Sequence, residues 1–351
     1  MGTASKLPLV SVIIPTFNRG KFLQAALESL ANQTLPRDQY EVIVVDDGSI
    51  DSTPEACKGF SSRMSLKYFR IQHSGISAAK NLCVFTSTGS MLLFFDDDDV
   101  ADENLVQEHL KTHQRNPQDC VAVLGYTSWA PSLQVTEVMD YVTDTGRFLF
   151  SYSNLSDGQV LDFTYFWGGR TSCKRSLLVK HGVFNQEFHS IIEDIELGYR
   201  LSKFGLKVVF NRNAISYMAR TITCDEFCRR CESQGKGLYL LSRLHSDFTV
   251  QNYCQGQVRD PNTQRGLHFG TAAVVWRDVE EVLADKVHRV HELESLLASR
   301  LKAKERELLL GELRGLYRWI FNSFKVKGVV EAMRADGKIG GRVIEEVAFV
   351  T

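Results

Sequence analysis

Short apolar runs recur along the first hundred residues, each closing on a polar turn and followed by a segment of helical period. Val10-Ser11-Val12-Ile13-Ile14 ends at Pro15-Thr16-Phe17-Asn18, after which Phe22, Leu23, Ala26, Leu27 and Leu30 mark one face of a helix. Glu41 to Val45 ends in Asp46-Asp47-Gly48-Ser49, and Thr53-Pro54 then offers an N-cap and a first-turn proline for a second helix. A third strand, Leu66 to Ile71, gives way to His73-Ser74-Gly75 and a helix from Ile76 to Phe85. The fourth, Leu92-Leu93-Phe94-Phe95, runs straight into Asp96-Asp97-Asp98-Asp99.

Strands alternating with helices through short loops specify an α/β fold, a mainly parallel Rossmann-like sheet flanked by helices. Ligands of such sheets sit beyond the carboxyl ends of the strands, so Thr16, Asp46, Asp47, Gly75 and Asp96 to Asp99 are expected on one rim. Four adjacent carboxylates repel one another, and hard divalent ions such as Mg²⁺ or Mn²⁺ prefer carboxylate oxygens; a bound metal is the simplest resolution, a solvated acidic turn the bland one. No Walker loop and no Gly-x-Gly-x-x-Gly loop follows the first strand, so ordinary ATPase and dinucleotide readings lack a phosphate cradle.

Composition bounds the rest. A chain of 351 residues, 44% hydrophobic, suggests two units at ~150 residues each. Lys and Arg number 41 against 42 Asp and Glu, which leaves no global field for nucleic acid or an anionic membrane. Met1 to Leu7 lacks the pattern of an export signal and no apolar run spans a bilayer, so a cytoplasmic protein is expected, with peripheral contact at the inner face of the membrane left open. Eight scattered cysteines in such a chain read as reduced thiols.

Ser11 to Arg19, Val44 to Ser49, Gly75 to Asn81 and Phe95 to Asp99 together resemble, in order and spacing, the signatures of the family 2 glycosyltransferases with the GT-A fold. The resemblance covers approximately residues 7–217 and implies inverting, metal-dependent transfer from a nucleotide sugar. It implies that the first two loops, with Pro15, Thr16, Asn18, Asp46 and Asp47, hold base and ribose, Asp47 accepting a hydrogen bond from the base. Gly75, Lys80, Asp96 and Asp97 join the donor site, and Asp96, Asp98 and Asp99 hold the metal, Mn²⁺ or Mg²⁺. The family usually has Arg where this chain has Lys80, which keeps the charge and loses the planar fork. Trp167 to Arg175 and Gly182 to Glu187 resemble the acceptor-side segment, with Phe184-Asn185-Gln186 where Phe-Asp-Glu is frequent. Ile191 to Leu201 resembles the Glu-Asp helix, closed by Gly205 as C-cap, and makes Asp194 the candidate general base with Glu193 in support.

The implied division is a GT-A domain over 7–217, split into a nucleotide-binding half, 7–100, and an acceptor-side half, 101–217, followed by a helical region, 218–351. In that region Cys224, Cys228 and Cys231 fall at i, i+4 and i+7; they read as a buried helix face rather than the cluster ligands of an iron-sulfur enzyme. Gln234-Gly235-Lys236-Gly237 resembles a basic stretch that lets Lys236 or Arg230 reach a diphosphate, ordinary solvated charge being the alternative. Val275, Val279, Val282, Leu283, Val290, Leu293, Leu297 and Leu301 trace one apolar stripe, and Leu308, Leu309, Leu313, Leu316, Ile320 and Phe324 another, so two long helices are expected. Packing on a core is the default for them; a homodimer, or an anionic lipid surface met by Arg314, Arg318, Trp319 and Lys325, are the alternatives. The functional expectation is a hexosyltransferase-type enzyme using a nucleotide sugar, UDP-sugar first, with a glycan, lipid-linked, small-molecule or protein acceptor. The rivals are a sugar nucleotidyltransferase and a catalytically silent nucleotide-binding scaffold.

Overall fold

The computed structural model describes residues 7–338, so the start of the chain before Leu7 and the end of the helical region expected over 218–351 lie outside the described residues. The chain divides into two compact units, one of residues 7–134 with 152–220 and one of 135–151 with 221–338.

In the first unit the chain runs β1 Val10–Thr16, α1 Gly20–Ala31, β2 Tyr40–Asp46, α2 Thr53–Lys58, β3 Leu66–Arg70, α3 Ile76–Thr86, β4 Met91–Phe94 and β5 Asp99–Ala101. It continues with α4 Leu105–Arg115 and β6 Val121–Trp129, and after the excursion to the second unit (which holds α5, Glu137–Asp140) with β7 Val160–Leu161, β8 Thr171–Lys174, α6 Arg175–His181, α7 Glu193–Ser202 and β9 Lys207–Met218. Among the described residues one sheet forms, in the order β3-β2-β1-β4-β8-β6-β9-β5, with β7 beside β9. The four strands read from the sequence make its parallel half. The other half is mixed, because β8 enters antiparallel to both β4 and β6. Val10, Val12 and Ile14 of β1 and Val42 and Val44 of β2 are buried with Leu23, Ala26, Leu27 and Leu30 of α1, so the helix covers one face of this half.

Register aligns the strand ends. Thr16 lies opposite Asp46 across β1 and β2. Ile13 lies opposite Phe94 across β1 and β4, which brings Thr16 level with Asp97 three residues further on. Two caps differ from expectation. Thr53 is the first residue of α2 rather than its cap; Ser52 precedes it without a side-chain bond, and the Thr53 hydroxyl donates to Asp51 at 2.5 Å. α7 ends at Ser202 with Lys203 as its C-cap, and Gly205 lies beyond it at φ +83° as part of the following turn.

The second unit is helical: α5, a π-turn at Tyr141–Thr145, α8 Cys224–Leu244, α9 Phe248–Gln257, α10 Ala272–Leu297 and α11 Ala303–Ala335. A capping box starts α8, with Thr223 and Glu226 each bonding the other's backbone N–H. Gly235 on α8 and Gly328 on α11 let the two backbones touch; a Cβ on either would run into the facing chain. Cys224, Cys228 and Cys231 lie on the buried face of α8, as the spacing predicts. An aromatic cluster fills the interior, Phe227 packing on Phe321 at 4.8 Å and Tyr141 on Tyr317 at 5.2 Å.

Both long helices are present, with adjusted stripes. Trp276 and Val287 join the buried face of α10 whereas Val282 is exposed, and on α11 Tyr317 and Phe321 are buried whereas Leu308 is 75% exposed. Lys325 cannot meet a lipid surface: it is buried, donates to the Gln257 carbonyl at 3.2 Å and sits over the Phe148 ring. Trp319 donates to Asn262 and Arg314 pairs with Asp140, so these side chains are engaged within the unit. Among the described residues no helix is long and apolar enough to cross a membrane.

Candidate active site

The rim of the parallel half opens into a cleft of about 570 Å³ lined by Pro15, Thr16, Phe17, Arg19, Asp47, His73, Ser74, Gly75, Ile76, Ala79, Asp96, Asp97, His189 and Ser190. Asp47 closes the loop after β3: its Oδ1 accepts from Ser74 N–H at 2.7 Å and its Oδ2 from Gly75 N–H at 2.9 Å. His73 Nδ1 approaches the same Oδ2 at 2.8 Å and the Asp47 carbonyl at 3.2 Å. Both partners only accept, so Nδ1 carries the proton. The His73 ring lies against Phe17, centroids 4.3 Å apart, making a flat aromatic pair at the mouth.

Other expected residues shape this cleft without lining it. Asp46 is fully buried and faces away, accepting from Ser49 N–H at 2.8 Å and the Tyr68 hydroxyl at 2.6 Å. Asn18, at φ +53°, ties two loops by accepting from Ile50 N–H and donating its own N–H to the Ser49 hydroxyl. Gly75 stands at φ +91°, and a Cβ there would come within 2.9 Å of the His189 carbonyl, so glycine permits both the backbone turn and the close approach of the segment leading to α7.

The four acids are held apart by guanidiniums. Arg19 reaches Asp97 and Asp98, each at 2.9 Å; Arg220 reaches Asp98 at 2.9 Å; Arg170 reaches Asp96 at 3.3 Å and Asp99 at 3.7 Å. Thr16 and Ser216 donate hydroxyls to Asp97 and Asp99, both at 2.8 Å. The expectation that a cation must relieve the repulsion is therefore met first by three arginines brought from distant parts of the chain. Burial pushes Asp97 and Asp99 up to about 7, whereas for Asp98 burial is outweighed by Arg19 and Arg220 and its carboxyl stays below the usual range. The residues nonetheless fit a divalent ion. One oxygen from each of Asp96, Asp98 and Asp99 can be chosen so that all lie within 4.8 Å of one another. Every contact above to these three acids falls on Oδ2, and the buried Asp99 Oδ1 has no partner.

α7 brings the second acidic pair. Ile192, a β-branched residue held at φ +71°, turns the chain into the helix, a strained conformation at the point where Glu193 and Asp194 begin. Glu193 pairs with the buried Lys80 at 2.8 Å. Asp194 accepts from Gly168 N–H and from Ile195 N–H, both at 2.8 Å. Burial, and then the neighbouring Glu193, raise its carboxyl to about 6 against the pull of Lys80. The Gly168-Gly169 pair lies between this helix and the acid cluster: side-chain atoms of Lys80 and Asp194 crowd Gly168, and Asp96 crowds Gly169.

Residues 11–172 match the family described as glycosyl transferase family 2. Over that stretch, just under half of its length, the chain is similar to the family 2 glycosyltransferases. A curated relative, validoxylamine A glucosyltransferase of Streptomyces hygroscopicus subsp. jinggangensis, is 27% identical over 274 residues, covering 65% of this chain and 62% of the relative. The chain therefore spans less than two thirds of that relative's length. Two solved structures share its fold. The mannosyltransferase PcManGT from Pyrobaculum calidifontis, in complex with GDP-Man and Mn²⁺, has a TM-score of 0.58 at 18% identity, covering 93% of this chain and 88% of that one. S. aureus TarS 1–349 in complex with UDP has a TM-score of 0.54 at 16% identity, covering 96% and 94%. The GT-A architecture expected from the motifs is the one observed.

The sequence motifs did not disclose the partners of their own acids. Arg19 and Arg170 sit inside the Ser11–Arg19 and Trp167–Arg175 motifs, but nothing in their spacing says that they pair with Asp97 or Asp99; Arg220 lies outside every motif. Phe17 and His73 are ordinary loop residues until the fold stacks them.

Proposed function

We propose that this chain is a metal-dependent inverting glycosyltransferase that moves a sugar from a nucleotide donor, UDP-sugar first, to an acceptor hydroxyl. The observation that carries the proposal is one cleft whose lining includes Asp47, the Phe17–His73 pair and, from the acid cluster, Asp96 and Asp97. Residues 7–100 supply the nucleotide side: a base against the aromatic pair, Asp47 holding the loop that receives it, and Thr16 and Asp97 toward the ribose. Asp96, Asp98 and Asp99 would hold Mn²⁺ or Mg²⁺, whose chemical contribution is to offset the negative charge gathering on the departing diphosphate. A solved relative of the same fold that carries both GDP-Man and Mn²⁺ supports this reading.

The part of 101–217 that lies in the first unit supplies the acceptor side. Asp194, deprotonated above about 6, takes the proton of the acceptor hydroxyl as its oxygen bonds to the anomeric carbon and the bond from that carbon to the diphosphate oxygen breaks. The Gly168 N–H and the start of α7 hold its carboxylate in place. Glu193, tied to Lys80, orients the helix start.

The test is thermal. UDP should raise the melting temperature far more with Mn²⁺ than with EDTA, through binding linkage, and Asp98→Ala should abolish the difference. Equal shifts with and without metal would overturn the metal assignment. Asp47→Ala should weaken UDP binding in both conditions.

A further inference from the structure

Four carboxylates meet three guanidiniums at the end of β4, so even with every carboxylate ionised the cluster carries one net negative charge rather than four. One of the three arginines differs from the others in its place. Arg19 lines the cleft, and its side chain is 38% exposed, against 10% for Arg170 and 23% for Arg220. A single terminal nitrogen, Nη1, spends both of its bonds on the acids, reaching Asp97 Oδ1 and Asp98 Oδ2 at 2.9 Å each. A guanidinium has five N–H donors in a fixed plane. Among the described residues, Nε and Nη2 of Arg19 have no hydrogen-bond partner, so three donors stay available at the wall of the cleft.

We infer that Arg19 is a two-sided residue: through Nη1 it is the standing counter-charge of Asp97 and Asp98, and through Nε and Nη2 it binds the diphosphate oxygens of the donor. This deepens the nucleotide-sugar reading and rests on it. The geometry suits both tasks at once, because Asp97 and Asp98 fix the plane of the guanidinium while its opposite edge is left to the ligand. Two opposite consequences follow for cation and nucleotide. A fixed positive charge beside Asp98 repels a divalent ion, so Mn²⁺ alone binds weakly; the same charge attracts a diphosphate, so nucleotide and ion favour one another.

The experiment measures Mn²⁺ alone, by the electron paramagnetic resonance signal of the free ion, and UDP at saturating Mn²⁺, by calorimetry, in wild type, Arg19→Gln and Arg19→Lys. Arg19→Gln should bind Mn²⁺ alone about tenfold more tightly, and UDP roughly 10- to 100-fold more weakly. Arg19→Lys keeps the charge without the fork, so its Mn²⁺ affinity should stay near wild type while its UDP affinity falls between the other two. A merely structural role for Arg19 would weaken both ligands together, and that result would overturn the assignment. So would UDP affinity unchanged in Arg19→Gln, with the nucleotide reading left standing. Failure of wild type to bind UDP at any Mn²⁺ level would instead overturn both the assignment and the reading beneath it.

Discussion

Lys80 and Glu193 form an ion pair of 2.8 Å with both side chains almost wholly buried, joining α3 to the first turn of α7. A buried pair contributes little over a well-packed apolar substitute, but removing one partner leaves the other charged and dry. Lys80→Met should therefore destabilise the protein by about 3–5 kcal/mol in chemical denaturation. The double variant Lys80→Met/Glu193→Met should recover part of that loss. Additive losses would mean that the pair is not coupled.

Asp194→Asn keeps the shape of the side chain and removes its capacity to take a proton. Transfer should fall by at least ~10², the lower end for general-base help, while UDP affinity with Mn²⁺ stays near normal; Glu193→Gln should cost less. Wild-type transfer should rise with pH through about 6, the value to which burial and Glu193 lift this carboxyl. Stability runs the other way. The unfolded chain releases this proton near 4 and the folded protein near 6, so between those values the native state binds more protons and loses stability as pH rises. Near-normal transfer by Asp194→Asn would refute the base assignment, and loss of UDP binding would move α7 to the donor site.

His109 and His113 on α4 share the Ser172 hydroxyl, Nδ1 of the first at 2.8 Å and Nε2 of the second at 2.9 Å. Burial depresses them to about 3 and about 4, with His113 adding to the effect on His109 and Lys174 to that on His113. Both are neutral in the folded protein, whereas the unfolded chain protonates them from about 6.5 downward. Stability should thus be fully present above pH 6.5 and fall below it, by up to roughly 1.4 kcal/mol per pH unit for each ring. His113→Asn should flatten the acid limb of a stability-against-pH curve between 4 and 6.5; an unchanged slope would show that other groups set it.

Cys224, Cys228 and Cys231 lie inside the α8 interface, and burial raises the Cys231 thiol to about 12. Thiols so placed pack as small apolar groups. Cys228→Ala should cost on the order of 1 kcal/mol by loss of packing and leave turnover intact. Anaerobically purified protein should contain no iron, and stoichiometric iron would overturn the packing role.

What the sequence determined is local and periodic. The apolar runs ending at Ile14, Val45 and Phe95, the turn residues after them and the helical stripes of α1 and α3 declared the parallel half of the sheet, because a buried strand and a short βα loop each need particular residues within a few positions. That pattern also put Thr16, Asp47, Gly75 and Asp96 on one rim. It could not tell which rim residues face the cleft: Asp46 and Asp47 are neighbours in sequence, yet one is turned under the sheet by Tyr68 and Ser49 while the other closes the His73 loop. Nor could it supply the compensation of the acids, since Arg19, Arg170 and Arg220 stand 78, 74 and 122 positions from the carboxylates they meet. The assignment of 135–151 to the helical unit, the exposure of Val282 and Leu308 and the burial of Lys325 are of the same kind. A stripe fixes which residues share a helix face. What lies against that face, and so which charge is desolvated, which acid is neutralised and which donor is left for a ligand, depends on contacts between distant segments that only the folded chain brings together.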